Sequence, residues 1–252
     1  MSDEMSISDY LAQGGRLTSP ANVPARYRAE LLKMMATFVD SSLAGAAGFA
    51  DVINLGPGIK HRIAASKIVL EKTDNADRVL RIMGEFGADQ ARYATHHPWT
   101  LRLKRSADIG ATRSSHDMRL AVFNYPLEGW SDAVVMNLLM GRAVVVQLAE
   151  LGRVSYQPLA EAFRVILPTE ARHAELAQEG MSELLETEGL ESLQSLVNYW
   201  WPRVAASFGE QNSTKFEALK AMGLRNRPNE DLRAQWAEDA TSVLAQFGLK
   251  TK

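Results

Sequence analysis

Leu31, Met35, Phe38, Ser42, Gly45 and Phe49 recur at steps of three and four along one stretch of the chain. That spacing is one face of an α-helix, and it is the feature that most limits the fold. The same period returns in Ile68, Lys72, Asn75, Val79, Ile82 and Phe86, and again in Val134, Leu138, Gly141, Val145 and Leu148. A fourth stripe holds Leu159, Phe163, Ile166, Glu170, His173, Ala177 and Leu184. Alternating strand-like runs are few. The pattern predicts helices over about 24–49, 59–87, 130–151, 157–187, 190–207 and 229–246. Gly56-Pro57-Gly58 is a short break of the kind that joins antiparallel neighbours. Long helices with no strands between them imply an all-α bundle, its four-helix core followed by further C-terminal helices.

Composition narrows the function. The chain has 252 residues, 46% of them hydrophobic, enough to bury a full core. Gly14-Gly15 and Ser19-Pro20 interrupt the start, so residues 1–20 read as a flexible segment and 21–252 as one helical domain. Lys+Arg 28 against Asp+Glu 30 leaves a net charge of -2, which gives no reason to expect nucleic acid or an acidic membrane surface. There is no Cys, which excludes disulfides, thiol catalysis, iron–sulfur clusters and zinc ribbons. The first residues, MSDEMSISDYLAQGG, lack a basic-then-apolar leader, and no run of 18 apolar residues exists. A cytoplasmic protein that neither enters a membrane nor binds nucleic acid is the expectation.

Five positions break the apolar stripes: Ser42, Lys72, Asn75, Glu170 and His173. A Lys and a Glu on core faces are costly unless paired or bound to something. They either sit at stripe edges with their ends reaching water, or form a polar cluster inside the bundle, where such folds build their sites.

Glu170-x-x-His173 has the spacing of half a ferritin-like di-iron site. Around it stand Phe123-Asn124-Tyr125-Pro126, Trp130-x-Asp132, Arg153-x-Ser155-Tyr156-x-Pro158 and Trp200-Trp201-Pro202, with Pro24-x-x-Tyr27-Arg28 and Asn229-x-x-Leu232-Arg233 towards the ends. This series resembles the catalytic subunit family of phenylacetyl-CoA epoxidase, in the phenylacetic acid catabolism branch of ferritin-like proteins, over about residues 22–248. The resemblance implies a ferritin-like four-helix bundle. It implies an oxygenase chemistry in which two non-haem irons and O2 epoxidise the aromatic ring of a CoA thioester. It also implies a complex with a reductase and with a metal-free paralogous subunit.

Carried over position by position, the family's ligands fall on Ser42, on Lys72 and Asn75, on Gly141, and on Glu170 and His173. Only the last pair keeps ligand chemistry. Two of six ligands cannot neutralise and orient two irons, and Lys72 brings a cation to the place of a metal. No metal is therefore expected, with Glu170 and His173 as a vestigial pair and iron as the alternative. Ser42, Asn75 and Gly141 line the same pocket. Three functions follow: a non-metal accessory or scaffold subunit in aromatic-acid or CoA-thioester metabolism; an oxygenase working through an unusual or single-metal site at Glu170 and His173; or a metal-free enzyme using Lys72, Glu170 and His173 for acid–base work. A homodimer or a complex with a homologous subunit is expected, and a CoA thioester or aromatic compound is the candidate ligand.

Other polar residues have simpler readings. Glu71 and Asp74 fall with Arg78 and Arg81 on a solvated face, which suits i, i+4 pairing. Asp40 and Glu150 neighbour the stripes without lying on them. His96-His97-Pro98 reads as a solvated turn, and His61 and His116 as surface residues without partners at ligand spacing. Trp200-Trp201 reads as a core anchor that could border a subunit contact. Arg102, Lys104, Arg105 and Arg113 form a basic segment, either a solvated face or a contact for CoA-like phosphates.

Overall fold

A computed structural model describes residues 6–96, 98–110 and 117–251. Its helices run in the order α1 (Ile7–Ala12), α2 (Ala25–Val52), α3 (Ile59–Glu85), α4 (Gln90–His96), α5 (Trp130–Leu151), α6 (Gln157–Glu188), α7 (Leu190–Ala206), α8 (Phe216–Ala221) and α9 (Asn229–Gln246). Among the described residues there is no strand; Leu17 and Tyr156 form an isolated bridge. The six long helices match the periodic runs to within a few residues. The spacing does not predict the short helices α1, α4 and α8. Each has fewer than two turns, too short for a period to show.

The core is two antiparallel pairs, α2 on α3 and α5 on α6, joined side by side through α3 and α6. Helix α5 is apolar nearly all round, with mean hydropathy 1.6 over its most apolar window. By length and composition it could cross a membrane, but 67% of that window is buried inside the bundle. It is the central helix, lying against α6, α7 and α9 at once, which is what an all-round apolar helix requires. Gly189 at φ +80 turns α6 into α7, a left-handed backbone that a side chain would strain.

The C-terminal helices dock through aromatics. Trp200 on α7 and Trp236 on α9 are both buried, and Trp201 packs on Trp236 with ring centres 4.4 Å apart. Near the other end, Tyr27 Oη and Ser155 Oγ lie 2.8 Å apart, and Ser155 donates to the Met222 carbonyl. These contacts tie the start of α2 to the turn before α6 and the end of α8.

Candidate functional site

Lys72 and Asn75 stand one turn apart on α3, facing Glu170 and His173 one turn apart on α6. All four are buried. The Lys72 Nζ lies 2.7 Å from Glu170 Oε2, and Asn75 Nδ2 donates to Glu170 Oε1 at 3.1 Å. Both carboxylate oxygens are thus occupied by donors from the opposite helix. Burial by itself would raise the Glu170 carboxyl, but the Lys72 ammonium, with His173 behind it, outweighs burial and holds it at about 2. A carboxylate held so low is a poor general base near neutral pH.

His173 completes the cluster from below. Its Nδ1 is 3.4 Å from Glu170 Oε2, and its Nε2 is 2.7 Å from Glu71 Oε2. Glu71 therefore differs from its expected role. It does pair along its own helix with Lys67 at 3.6 Å, but its carboxylate also reaches inward to a ring with no exposed surface. Position 71 is only one step round the helix from 72, and a Glu side chain is long enough to cover that difference. Asn137 Nδ2 on α5 donates to the His173 carbonyl at 3.0 Å. Asn137 is not among the expected pocket residues, although it lies three residues after Val134 and four before Gly141, on the same stripe.

Two glycines on the stripes act by size, Gly141 from the expected pocket and Gly45, which the sequence does not assign to it. Gly45 leaves room for its neighbours: a Cβ there would come 3.2 Å from the Phe123 ring and 3.6 Å from the Lys72 stem. Gly141 is a contact point of α5 with α6, where a Cβ would lie 3.0 Å from the Ala174 Cβ and 3.2 Å from its Cα. Ser42 is buried on α2 and, among the described residues, makes no hydrogen bond to the cluster. A cavity beside Lys72, lined by Gly45, Gly141, Asn137, Phe123 and Arg102, has a volume near 20 Å³. That is room for about one water.

The acids next to the stripes face inward but serve loops. Asp40 Oδ2 accepts from the Met118 amide at 2.6 Å, and Glu150 Oε1 accepts from the amides of Asn226 and Arg227. His61, expected at the surface without a partner, has its Nε2 2.7 Å from Glu183 Oε2 and its ring against Trp130. Helix-to-helix pairing of this kind leaves no signal in local spacing.

The basic segment is largely consumed by the fold. Arg102 donates to the carbonyls of Trp99, Leu101 and Ala44. Arg105 forms a two-pronged pair with Asp132 at 2.7 and 2.8 Å and stacks over the Tyr199 ring at 3.8 Å. Neither guanidinium fits the solvated face or phosphate contact that the sequence suggests. Lys104 is exposed. His97, Arg113, His116 and the His96 side chain lie outside the described residues.

Comparison with known proteins agrees with this architecture. A family model described as phenylacetic acid catabolic protein matches residues 8–251. The chain belongs to that family. A curated relative from Escherichia coli (strain K12), one of the subunits of 1,2-phenylacetyl-CoA epoxidase, is 23% identical over 255 residues, covering 99% of this chain and 77% of the relative. The chain carries its polar centre between α3 and α6, and among the described residues no group of three or more His, Asp and Glu is placed to hold a metal.

Proposed function

We propose that this chain is a non-catalytic, metal-free subunit of its family, serving an oxygenase assembly in aromatic-acid or CoA-thioester metabolism. The observation that carries the reading is the buried Lys72–Glu170 pair at 2.7 Å. Glu170 already has its charge neutralised, and the neutralising group is a side chain rather than a metal.

The donor set does not fit two irons. Asn75 presents its amide N–H₂ to Glu170, a donor where a metal needs a lone pair. At position 141 the backbone meets Ala174 too closely for a carboxylate side chain. His173 has both ring nitrogens directed at carboxylates. The cavity beside Lys72, near 20 Å³, does not admit an aromatic acyl group, and a Glu170 held at about 2 is not poised for acid–base work. These points weigh against the two enzymatic alternatives. The relative is by name one subunit of an epoxidase, which supports an assembly role for this chain, with itself or with a homologous subunit.

The test is metal content. Protein purified from iron-supplemented cells and measured by elemental analysis should hold well under one iron per chain. Two stoichiometric irons that resist dialysis would overturn the proposal, and so would turnover of an aromatic CoA thioester by this chain with a reductase and O2.

A further inference from the structure

The outer side of α3 and α6 is built differently from the rest of the molecule. Helix α5 is covered by α7 and α9, and α2 is overlaid by the turn Ala121–Asn124. Among the described residues, α3 packs chiefly on α2 and α6, and α6 on α5, α3 and α7. Outward on α3 stand Ile59, Ile63 and Leu70, exposed by 75%, 61% and 62%. Their spacing of four and seven sets them in one stripe. Three large aliphatic residues open to water along three turns of one helix are unusual for a surface that stays wet.

Charge divides along the same face. From 59 to 70, α3 carries Lys60, Arg62 and Lys67 and no acid. From 175 to 186, α6 carries Glu175, Glu179, Glu183 and Glu186 and no Lys or Arg, the nearest cation being Arg172, which pairs with Glu175 and Glu179. The helices are antiparallel neighbours, and His61 pairs with Glu183 as Glu71 does with His173. The basic, apolar half of α3 therefore lies level with the acidic half of α6.

We infer that this α3/α6 face docks a second copy of the chain about a two-fold axis parallel to the helices. Such an axis swaps left and right but keeps height. It sets the basic half of each α3 on the acidic half of the partner's α6, twice over, with the Ile59–Ile63–Leu70 stripes enclosed between them. A two-fold axis across the helices would instead bring each basic half onto the other end of α3, where Glu71, Asp74, Asp77 and Glu85 stand among Arg78 and Arg81, a more diluted complement than the run of acids on α6. The inference rests on the proposed subunit role only for its purpose: iron content tests that role, and self-association tests this face.

Because the chain has no native Cys, two single variants report the pairing directly. Lys67→Cys and Glu179→Cys, carried on full-length chains with tags of different size, are mixed and oxidised. A mixed disulfide can form only between chains, and it should exceed the two like-with-like products. Sedimentation velocity on the unmodified chain at micromolar concentration should show a dimer that weakens with added salt. Ile63→Glu, at an exposed position, should leave the helical circular dichroism unchanged while weakening the dimer by about tenfold or more. Lys60→Glu with Lys67→Glu should weaken it too, and Glu179→Lys with Glu183→Lys added should restore it. A monomer at all concentrations, a dimer indifferent to Ile63→Glu, no excess of the mixed disulfide, or association only with a homologous subunit would each overturn the inference.

Discussion

Gly141 and Ala174 bring α5 and α6 into their closest approach beside the polar centre: a Cβ on Gly141 would stand 3.0 Å from the Ala174 Cβ and 3.2 Å from its Cα. The nearest atoms include backbone, so the neighbour cannot rotate away. Gly141→Ala should then destabilise the protein by roughly 1–3 kcal/mol through overpacking, despite the higher helix propensity of alanine. Gly141→Glu should cost more and should fail to create an iron site. Urea unfolding followed by circular dichroism checks both. A stabilised Gly141→Ala would mean that α6 yields freely at this crossing.

The Lys72–Glu170 pair gives a second test. Each group is buried, so removing one leaves the other charge unpaired, at a cost of roughly 3–5 kcal/mol. Lys72→Met should therefore be more destabilising than Lys72→Met combined with Glu170→Gln. Additive losses in this double-mutant cycle would contradict the pairing. The acid response follows from the same contact. The Glu170 carboxyl is lowered from 4.5 to about 2, so its contribution to stability is fully present above pH 4.5. It is lost as pH falls from there through about 2. The slope of stability against pH in that window should be shallower in the double variant than in the unmodified chain.

Much of this is legible in the sequence. Residues such as Leu31, Leu138 and Phe163 repeat over many turns, so helix type, length and inward face can be read from spacing alone. The same spacing puts Lys72 and Glu170 on inward faces, and their mutual cost when unpaired implies that they meet. Glu71 escapes this reading because helix faces have soft edges, and a long side chain crosses them. Arg102, Arg105 and Asp132 are opaque for another reason. Their contacts join an irregular segment to distant helices, and irregular backbone has no period from which to infer direction. His61 with Glu183 is similar: the residues are 122 apart in sequence, and only the packing of α3 on α6 brings them together.

His173 and Glu71 make a test that separates a hydrogen bond from a charge. The His173 Nε2 lies 2.7 Å from Glu71 Oε2, and the ring has no exposed surface. Glu71→Gln keeps an acceptor in place and should change stability by less than about 1 kcal/mol. Glu71→Ala leaves a ring nitrogen short of a partner and should cost roughly 1–3 kcal/mol. Paired thermal or urea unfolding curves decide it. Equal effects from the two substitutions would show that the contact contributes little beyond its position.

A heavily used carboxylate stands away from the polar centre, at the start of α5. Asp132 is buried and accepts both prongs of Arg105, the Trp200 Nε1 at 2.6 Å and the Glu128 amide at 2.9 Å. Its place in the first turn of α5 is favourable for a negative charge, because the helix N-terminus carries unpaired N–H groups. Through it, three separate pieces meet: the 98–110 segment, α5 and α7. The Tyr199 ring, held between Arg105 at 3.8 Å and Arg203 at 3.7 Å, extends the same joint. Asp132→Ala removes every one of these acceptors. The Trp200 indole is fully buried, whereas the Arg105 side chain is 21% exposed and keeps some water. The loss should therefore fall at roughly 2–4 kcal/mol, below that of a wholly buried pair. Asp132→Asn keeps an oxygen for Trp200 but not the charge for Arg105, and should lose roughly half as much. Both should shift the urea midpoint with little change in slope, since the surface exposed on unfolding stays the same. Limited proteolysis should report the release of the segment in Asp132→Ala, with earlier cleavage near Lys104 and Arg105. A variant with an unchanged midpoint and cleavage pattern would show that the aromatic packing of Trp200 and Trp236 holds this joint without the carboxylate.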